Sequence, residues 1–93
     1  MLTIERIQSG VNKVASDFPV KKCLLFGSYA NGTANENSDL DFLIEFDEVV
    51  SLITISALKN SLEDELTIPV DVIPYPLPED SFLEIDKVVD IYG

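Results

Sequence analysis

The sequence feature that most constrains the fold is a glycine turn followed, ten residues later, by two aspartates. Gly27-Ser28 comes after the apolar run 20–26, and Asp39-Leu40-Asp41 leads into a second apolar run. Apolar runs of this length predict two strands, joined here by a tight turn, one turn of helix and a polar loop. Side chains alternate between the two faces of a strand, so Asp39 and Asp41 are expected on one face, about 6–7 Å apart along the backbone. The opposite face is predicted to be buried and to contain Leu40, Phe42, Ile44 and Phe46.

The two carboxylates require a positive partner to stay close together. At about 4 Å their repulsion amounts to about 1 kcal/mol in water and about 4 kcal/mol near a protein surface. The chain has no histidine, and hard divalent cations prefer oxygen ligands. We therefore expect a divalent cation at Asp39 and Asp41.

The glycine turn has the features of a phosphate site. Gly27 can adopt a backbone conformation closed to other residues and allows a ligand to approach closely. Ser28 is predicted to start a short helix, where free N–H groups and the helix dipole attract an anion. Gly32 is well placed to end that helical turn.

A third acid follows in the predicted strand Val70-Asp71-Val72-Ile73. If this strand lies beside the second one, the face of Asp71 can match that of Asp39 and Asp41. An acid within an apolar strand is costly unless it is paired or liganded. The alternative is an acid at a strand end that is simply exposed to water.

Gly27-Ser28, ten residues and then Asp39-x-Asp41, with Asp71 downstream, resembles the signature of the polymerase-β-like nucleotidyltransferases. More narrowly, nearly the whole chain resembles the minimal nucleotidyltransferase (MNT) family. The resemblance implies that Asp39, Asp41 and Asp71 bind two Mg²⁺ ions and that Asp71 helps to deprotonate the attacking hydroxyl. It also implies that Gly27 and Ser28 hold the β- and γ-phosphates of ATP, so that AMP is transferred and pyrophosphate released.

The same resemblance implies a partner protein. MNT proteins resemble the antitoxin half of a two-gene pair whose other half is an all-helical HEPT toxin, an RNase, and the proposed activity is transfer of AMP to a tyrosine of that toxin. Many relatives have an arginine just before the second glycine, where this chain has Asn31. A neutral amide cannot make a charged bidentate contact with phosphate. Two alternatives therefore remain: a non-catalytic module that masks a basic partner, and an adenylyltransferase acting on a small molecule.

The expected architecture is an α+β fold formed by residues 1–93 as a single domain, with helices packed on one face of a small mixed sheet. A first helix is predicted from Ile4, Ile7, Val11 and Val14, with Thr3 as its cap. A second long helix is predicted from Asp47-Glu48 to about Leu66. Ser81-x-x-Glu84 resembles a capping box for a last helix, and Val88–Tyr92 is alternatively a short edge strand.

Charge and composition restrict the partners. The net charge is −11 and the six basic residues form no stripe, so direct binding to nucleic acid is not expected. No apolar run approaches the roughly 20 residues of a membrane span, and the single Cys23 cannot form an internal disulfide. These features predict a cytoplasmic protein. Lys21 and Lys22 are either exposed to water at the start of the first strand or in contact with the triphosphate.

Overall fold

Three helices and four strands make up the described part of the chain. The computed structural model describes residues 2–75 and 88–93, so the predicted capping box at 81–84 lies outside the described residues. In chain order the elements are α1 (Ile4–Ala15), β1 (Val20–Phe26), α2 (Ser28–Asn31), β2 (Leu40–Phe46), α3 (Leu52–Leu66), β3 (Val70–Tyr75) and β4 (Val89–Tyr92).

The strands form one mixed sheet in the order β3-β2-β1-β4. Strand β1 is antiparallel to both β2 and β4, whereas β2 and β3 are parallel. The parallel pair is possible because α3 returns the chain to the end of the sheet at which β2 starts. The predicted mixed sheet is thus confirmed. Strand β4 corresponds to the short edge strand predicted as an alternative for Val88–Tyr92.

The hydrophobic core lies between the sheet and the helices α1 and α3. Alternation along each strand places every second side chain on this face. The core residues are Ile7, Val11, Val14, Ala15, Val20, Cys23, Leu25, Leu40, Phe42, Ile44, Leu58, Leu62, Leu66, Val70 and Ile91. Because both helices contribute to this core, the predicted packing of helices on one face of the sheet is confirmed. On the other face Phe26 and Leu43 are also buried.

Helices α1 and α3 pack closely because Gly10 has no side chain. A Cβ on Gly10 would lie 2.5 Å from Cδ2 of Leu66. Beside this contact, Nη2 of Arg6 donates to the backbone carbonyl of Glu65 at 2.6 Å and to its carboxylate at 2.9 Å. The Nζ of Lys13 lies 3.2 Å from the same carboxylate. The Arg6 hydrogen bond is the main cause, and Lys13 the next, of a lowered pKa at Glu65.

Several predicted boundaries differ from the structure; β3, for example, continues to Tyr75, beyond the predicted Ile73. Helix α3 begins at Leu52 rather than at Asp47, because the side chain of Ser51 accepts a hydrogen bond from the backbone N–H of Thr54 and caps the helix there. Strand β2 begins at Leu40, one residue after the predicted Asp39. The predicted cap at Thr3 is confirmed by its hydrogen bond from the backbone N–H of Arg6. Within the described residues, no helix is long and apolar enough to cross a membrane.

Candidate active site

The glycine turn between β1 and α2 has the conformation expected from the sequence. Gly27 has φ 77° and ψ −153°, a region of backbone space that is essentially restricted to glycine. The following helical turn, Ser28–Asn31, ends at Gly32, which is left-handed with φ 79°. A Cβ on Gly27 would collide with the carboxylate of Asp41. Glycine is therefore needed here both for the backbone conformation and for the close approach of the turn to Asp41.

A short polar loop leads from the turn to the first aspartate. The backbone N–H of Asn35 donates to Oγ of Ser38 at 2.9 Å, and the backbone N–H of Asn37 donates to Oδ1 of Asn35 at 2.8 Å. A further bond of 3.0 Å joins the backbone N–H of Ser38 to the carbonyl of Asn35. These bonds make a side-chain-supported turn, and they fix the direction in which the chain enters β2.

Strand pairing brings Asp41 and Asp71 side by side. In the parallel register of β2 and β3, Asp41 is opposite Asp71, and in the antiparallel register of β1 and β2 it is opposite Phe26. Directly paired residues project from the same face of a sheet. The backbone N–H of Leu40 donates to the carbonyl of Pro69 at 3.0 Å and so aligns the first residues of the two strands.

The surroundings of Asp41 disfavour its charge. Asp41 is half-buried, and burial is the largest cause of the raised pKa of its carboxyl. The neighbouring Asp71 raises this pKa further, through its charge and through a side-chain hydrogen bond, and the charge of Asp39 adds to the effect. A bound cation would offset these effects, because a nearby opposite charge favours the ionised carboxylate. The donor set therefore fits a hard divalent metal.

Asp39 lies beside this pair, and the three acids do not form a closed cluster. Its side chain is exposed and precedes the first residue of β2. In residues 2–75 and 88–93, no three histidine, cysteine, aspartate or glutamate side chains are grouped as the ligands of a metal ion. The structure thus brings two of the three predicted ligands together and leaves the third at the edge of the site.

Glu63 is a site-supporting residue that sequence reasoning missed. Its Oε2 accepts a hydrogen bond of 3.0 Å from the backbone N–H of Val70, which precedes Asp71. The carboxylate thus ties the last turns of α3 to the first residue of β3. A glutamate on a helix has no distinctive spacing that would predict this contact from the sequence. The contact spans the turn after α3, which begins at the left-handed Thr67.

The two lysines of β1 lie away from the glycine turn. Lys21 and Lys22 are at the start of β1, whereas Gly27 follows its end. The Nζ of Lys21 lies 3.3 Å from a carboxylate oxygen of Glu45. Five to six residues of strand correspond to about 16–20 Å, so the structure gives no support to the predicted alternative that these lysines contact a triphosphate at Gly27.

The chain has relatives of similar sequence that match most of its length. Residues 7–91 match the family described as nucleotidyltransferase domain. A Methanocaldococcus jannaschii protein, named as a candidate protein adenylyltransferase, is 36% identical over 94 residues, covering 97% of this chain and 99% of its own length. Protein adenylyltransferase MntA of Thermococcus cleftensis is 38% identical over 77 residues, covering 78% of each chain.

A solved structure with the same fold is a chain of a toxin–antitoxin complex with AMP-PNP. It superposes with a TM-score of 0.78 over 92% of this chain and 73% of its own length. At 22% identity, this similarity establishes the fold. The α+β architecture inferred from the sequence is confirmed by this match.

Proposed function

The chain belongs to the nucleotidyltransferase family of enzymes, and on that premise we propose that it transfers AMP from ATP to a hydroxyl group of a partner protein. The proposed partner is an all-helical HEPT-type toxin, for which the chain acts as antitoxin. The observation that carries the proposal is the pairing of Asp41 with Asp71 next to the Gly27 turn. The names of the relatives support a protein acceptor, and the toxin–antitoxin complex with AMP-PNP supports both a toxin partner and a nucleotide.

In the proposed reaction the acceptor hydroxyl oxygen forms a bond to the α-phosphorus of ATP. The bond between that phosphorus and the oxygen bridging to the β-phosphate breaks, and pyrophosphate leaves. Asp39, Asp41 and Asp71 would hold two Mg²⁺ ions, and these ions would supply positive charge that offsets the phosphates and lowers the pKa of the hydroxyl. Asp71 would help to deprotonate the hydroxyl by accepting its proton, and Gly27 and Ser28 would hold the β- and γ-phosphates. The contribution of the chain is thus positioning and electrostatic stabilisation.

The decisive experiment combines the purified chain, the purified toxin, MgCl₂ and ATP labelled on its α-phosphate. We expect label on the toxin, no label when MgCl₂ is replaced by EDTA, and no label with Asp41→Asn. Asp17→Asn is the matched control, because Asp17 is an exposed acid between α1 and β1, outside the candidate site. An unlabelled toxin with the wild-type chain contradicts the proposal.

Asn31 favours a second candidate function, in which the chain masks a basic surface of the toxin without catalysis. Asn31 is the last residue of α2 and is exposed, and its amide provides no positive charge for a phosphate. In this case Asp39→Asn and Asp41→Asn variants neutralise the toxin as well as the wild-type chain does. Loss of neutralisation together with loss of label selects the enzyme instead.

A further inference from the structure

Helix α3 exposes a second apolar surface on the side opposite to the core. Leu58, Leu62 and Leu66 are buried against the sheet. Leu52 and Ile53, in contrast, are 81% and 82% exposed, and Val49 just before the helix is fully exposed. Soluble proteins rarely leave several neighbouring aliphatic side chains in water unless they contact a partner.

Leu52 and Ile53 belong to one continuous surface of the helix, which we call the α3 ridge and define as Leu52, Ile53, Ser56, Ala57 and Asn60. Within the helix its members recur at spacings of three and four, which place side chains on one face. Leu52, Ile53, Ser56, Ala57 and Asn60 line a shallow groove of about 400 Å³. The surface thus begins with the aliphatic side chains of Leu52 and Ile53, continues with small side chains at Ser56 and Ala57, and ends at the uncharged Asn60.

The charges around the α3 ridge indicate the kind of partner. Asp47 and Glu48 are exposed shortly before it, and exposed Asp64 lies on the same helix face beyond Asn60. Lys59 is the one basic residue of α3. A second copy would bring the same acids together and add its own charge of −11, which disfavours self-association. Charge complementarity therefore favours a partner protein whose surface has apolar side chains flanked by lysines or arginines.

We propose that the α3 ridge is a docking surface for the partner protein, which presents an apolar helix face flanked by basic side chains. The inference rests on the proposed function for the identity of the partner, the toxin. The first residues of the ridge follow the end of β2, whereas Asp41 is near its start, so this part of the ridge is separated from Asp41 by roughly 20 Å of strand. The helices pack on one face of the sheet, and Asp41 is on the other. Docking at the ridge leaves the paired acids accessible to ATP and to the acceptor hydroxyl.

The test measures toxin binding by calorimetry with the wild-type chain and with a Leu52→Ser/Ile53→Ser double variant. Because both side chains are in water, the variant is expected to keep the wild-type circular dichroism spectrum and Tm. Its affinity for the toxin is expected to fall by roughly tenfold or more, since two aliphatic side chains no longer become buried. Val88→Ser is the matched control, because Val88 is a partly exposed aliphatic residue (47%) outside the ridge, and its affinity should remain that of the wild type.

Two further measurements separate the possible outcomes. Wild-type affinity should weaken as NaCl is raised from 0.05 to 0.5 M if basic side chains face the acids around the ridge. Light scattering of the chain alone should show a monomer; a wild-type dimer that the double variant dissociates would make the ridge a self-association surface and overturn the proposal. Unchanged toxin affinity in the double variant would overturn it as well.

Label transfer distinguishes failure of the docking surface from failure of the enzymatic function. Toxin that binds through the ridge and is never labelled supports the docking surface and contradicts AMP transfer. Toxin that is labelled and binds the double variant with wild-type affinity supports AMP transfer and contradicts the docking surface. Toxin that neither binds nor becomes labelled contradicts both.

Discussion

At the scale of single residues, Asp41 is the position where function and stability oppose each other. Its carboxyl is half-buried and shares one end of the sheet with Asp71, and both conditions raise its pKa. A carboxyl with a raised pKa destabilises the fold when it is ionised. On the proposed function, a metal ion binds at Asp41 and compensates for this destabilisation.

Asp41→Asn should therefore stabilise the metal-free protein. The amide keeps the shape of the carboxyl and removes the repulsion, so we expect a gain of about 1 kcal/mol in the free energy of unfolding at pH 7. For a domain of this size that corresponds to a rise in Tm of about 4–8 °C. Thermal melts in EDTA measure it, and Asp47→Asn is the control that should shift little. A variant less stable than the wild type would contradict this account.

The same melts have a defined dependence on pH and metal. The folded-state pKa of Asp41 lies above its ordinary value of 3.8, so the destabilisation is complete above the folded-state value. The destabilisation decreases as the pH falls through the folded-state pKa and vanishes below pH 3.8. The difference in stability between Asp41→Asn and the wild type should decrease over the same range. Saturating Mg²⁺, at a hundred times its dissociation constant, should add about 2.7 kcal/mol to the wild type and much less to the variant.

Gly27 and Gly32 allow backbone strain to be separated from damage to the site. Both have positive φ, but a Cβ on Gly27 would collide with Asp41, whereas a Cβ on Gly32 would meet nothing within 4 Å. Alanine at either position should cost about 1–3 kcal/mol of stability. Only Gly27→Ala should also abolish AMP transfer and stabilisation by Mg²⁺. Equal activity of the two variants, measured at a temperature where both are folded, would contradict the proposed role of Gly27.

At the scale of secondary-structure elements, the carboxylate of Glu63 positions β3. Its hydrogen bond to the backbone N–H of Val70 joins α3 to the strand that contains Asp71. Glu63→Ala removes the acceptor from a partly buried donor, and we expect a loss of about 1–3 kcal/mol. Because Asp71 would then be held less firmly, AMP transfer should also fall.

Glu63→Gln is the matched variant for this prediction. The amide oxygen of glutamine can accept the same hydrogen bond, so most of the stability and activity should return. Denaturant unfolding and label transfer, measured on both variants, test the two effects. A glutamine variant as impaired as the alanine variant would assign the effect to the charge of Glu63 rather than to the hydrogen bond.

Local sequence signals predict the bounds of some elements correctly and those of others incorrectly. Strand β1 and the turn from Gly27 to Gly32 follow from local signals, an apolar run bounded by glycines, and both match the structure. The start of α3 was misplaced because acids before a helix and a serine cap are both favourable at an N-terminus, and only the hydrogen bond of Ser51 distinguishes them.

Long-range pairing was the part that local patterns could not determine. The sequence predicted that Asp71 lies on the face of Asp39 and Asp41 only if its strand lies beside β2. The structure provides that condition through the parallel register, in which Asp41 is opposite Asp71. The roles of these acids in catalysis and metal binding remain predictions, because strand pairing determines where they lie and not what they bind.

At the scale of the whole molecule, charge is the dominant unfavourable property. The chain has 17 acidic residues and six basic ones, and surplus charge of one sign destabilises a compact state. Among residues 2–75 and 88–93, three ion pairs with nitrogen–oxygen distances of 2.9–3.3 Å oppose this effect. Their cationic side chains are 42–76% exposed, and such pairs contribute about 0–1 kcal/mol each.

Salt should therefore stabilise the metal-free protein. Raising NaCl from 0.01 M to 1 M shortens the screening length from about 30 Å to about 3 Å, which weakens repulsion over the whole surface more than it weakens three exposed pairs. We expect Tm, measured in EDTA, to rise by several degrees. A triple variant, Glu36→Gln/Asp47→Asn/Glu48→Gln, lowers the net charge to −8 by changing exposed acids; it should melt higher at low salt and gain less from added NaCl. A Tm that falls with salt in both proteins would mean that the ion pairs at Glu65 and Glu45 outweigh the surplus negative charge.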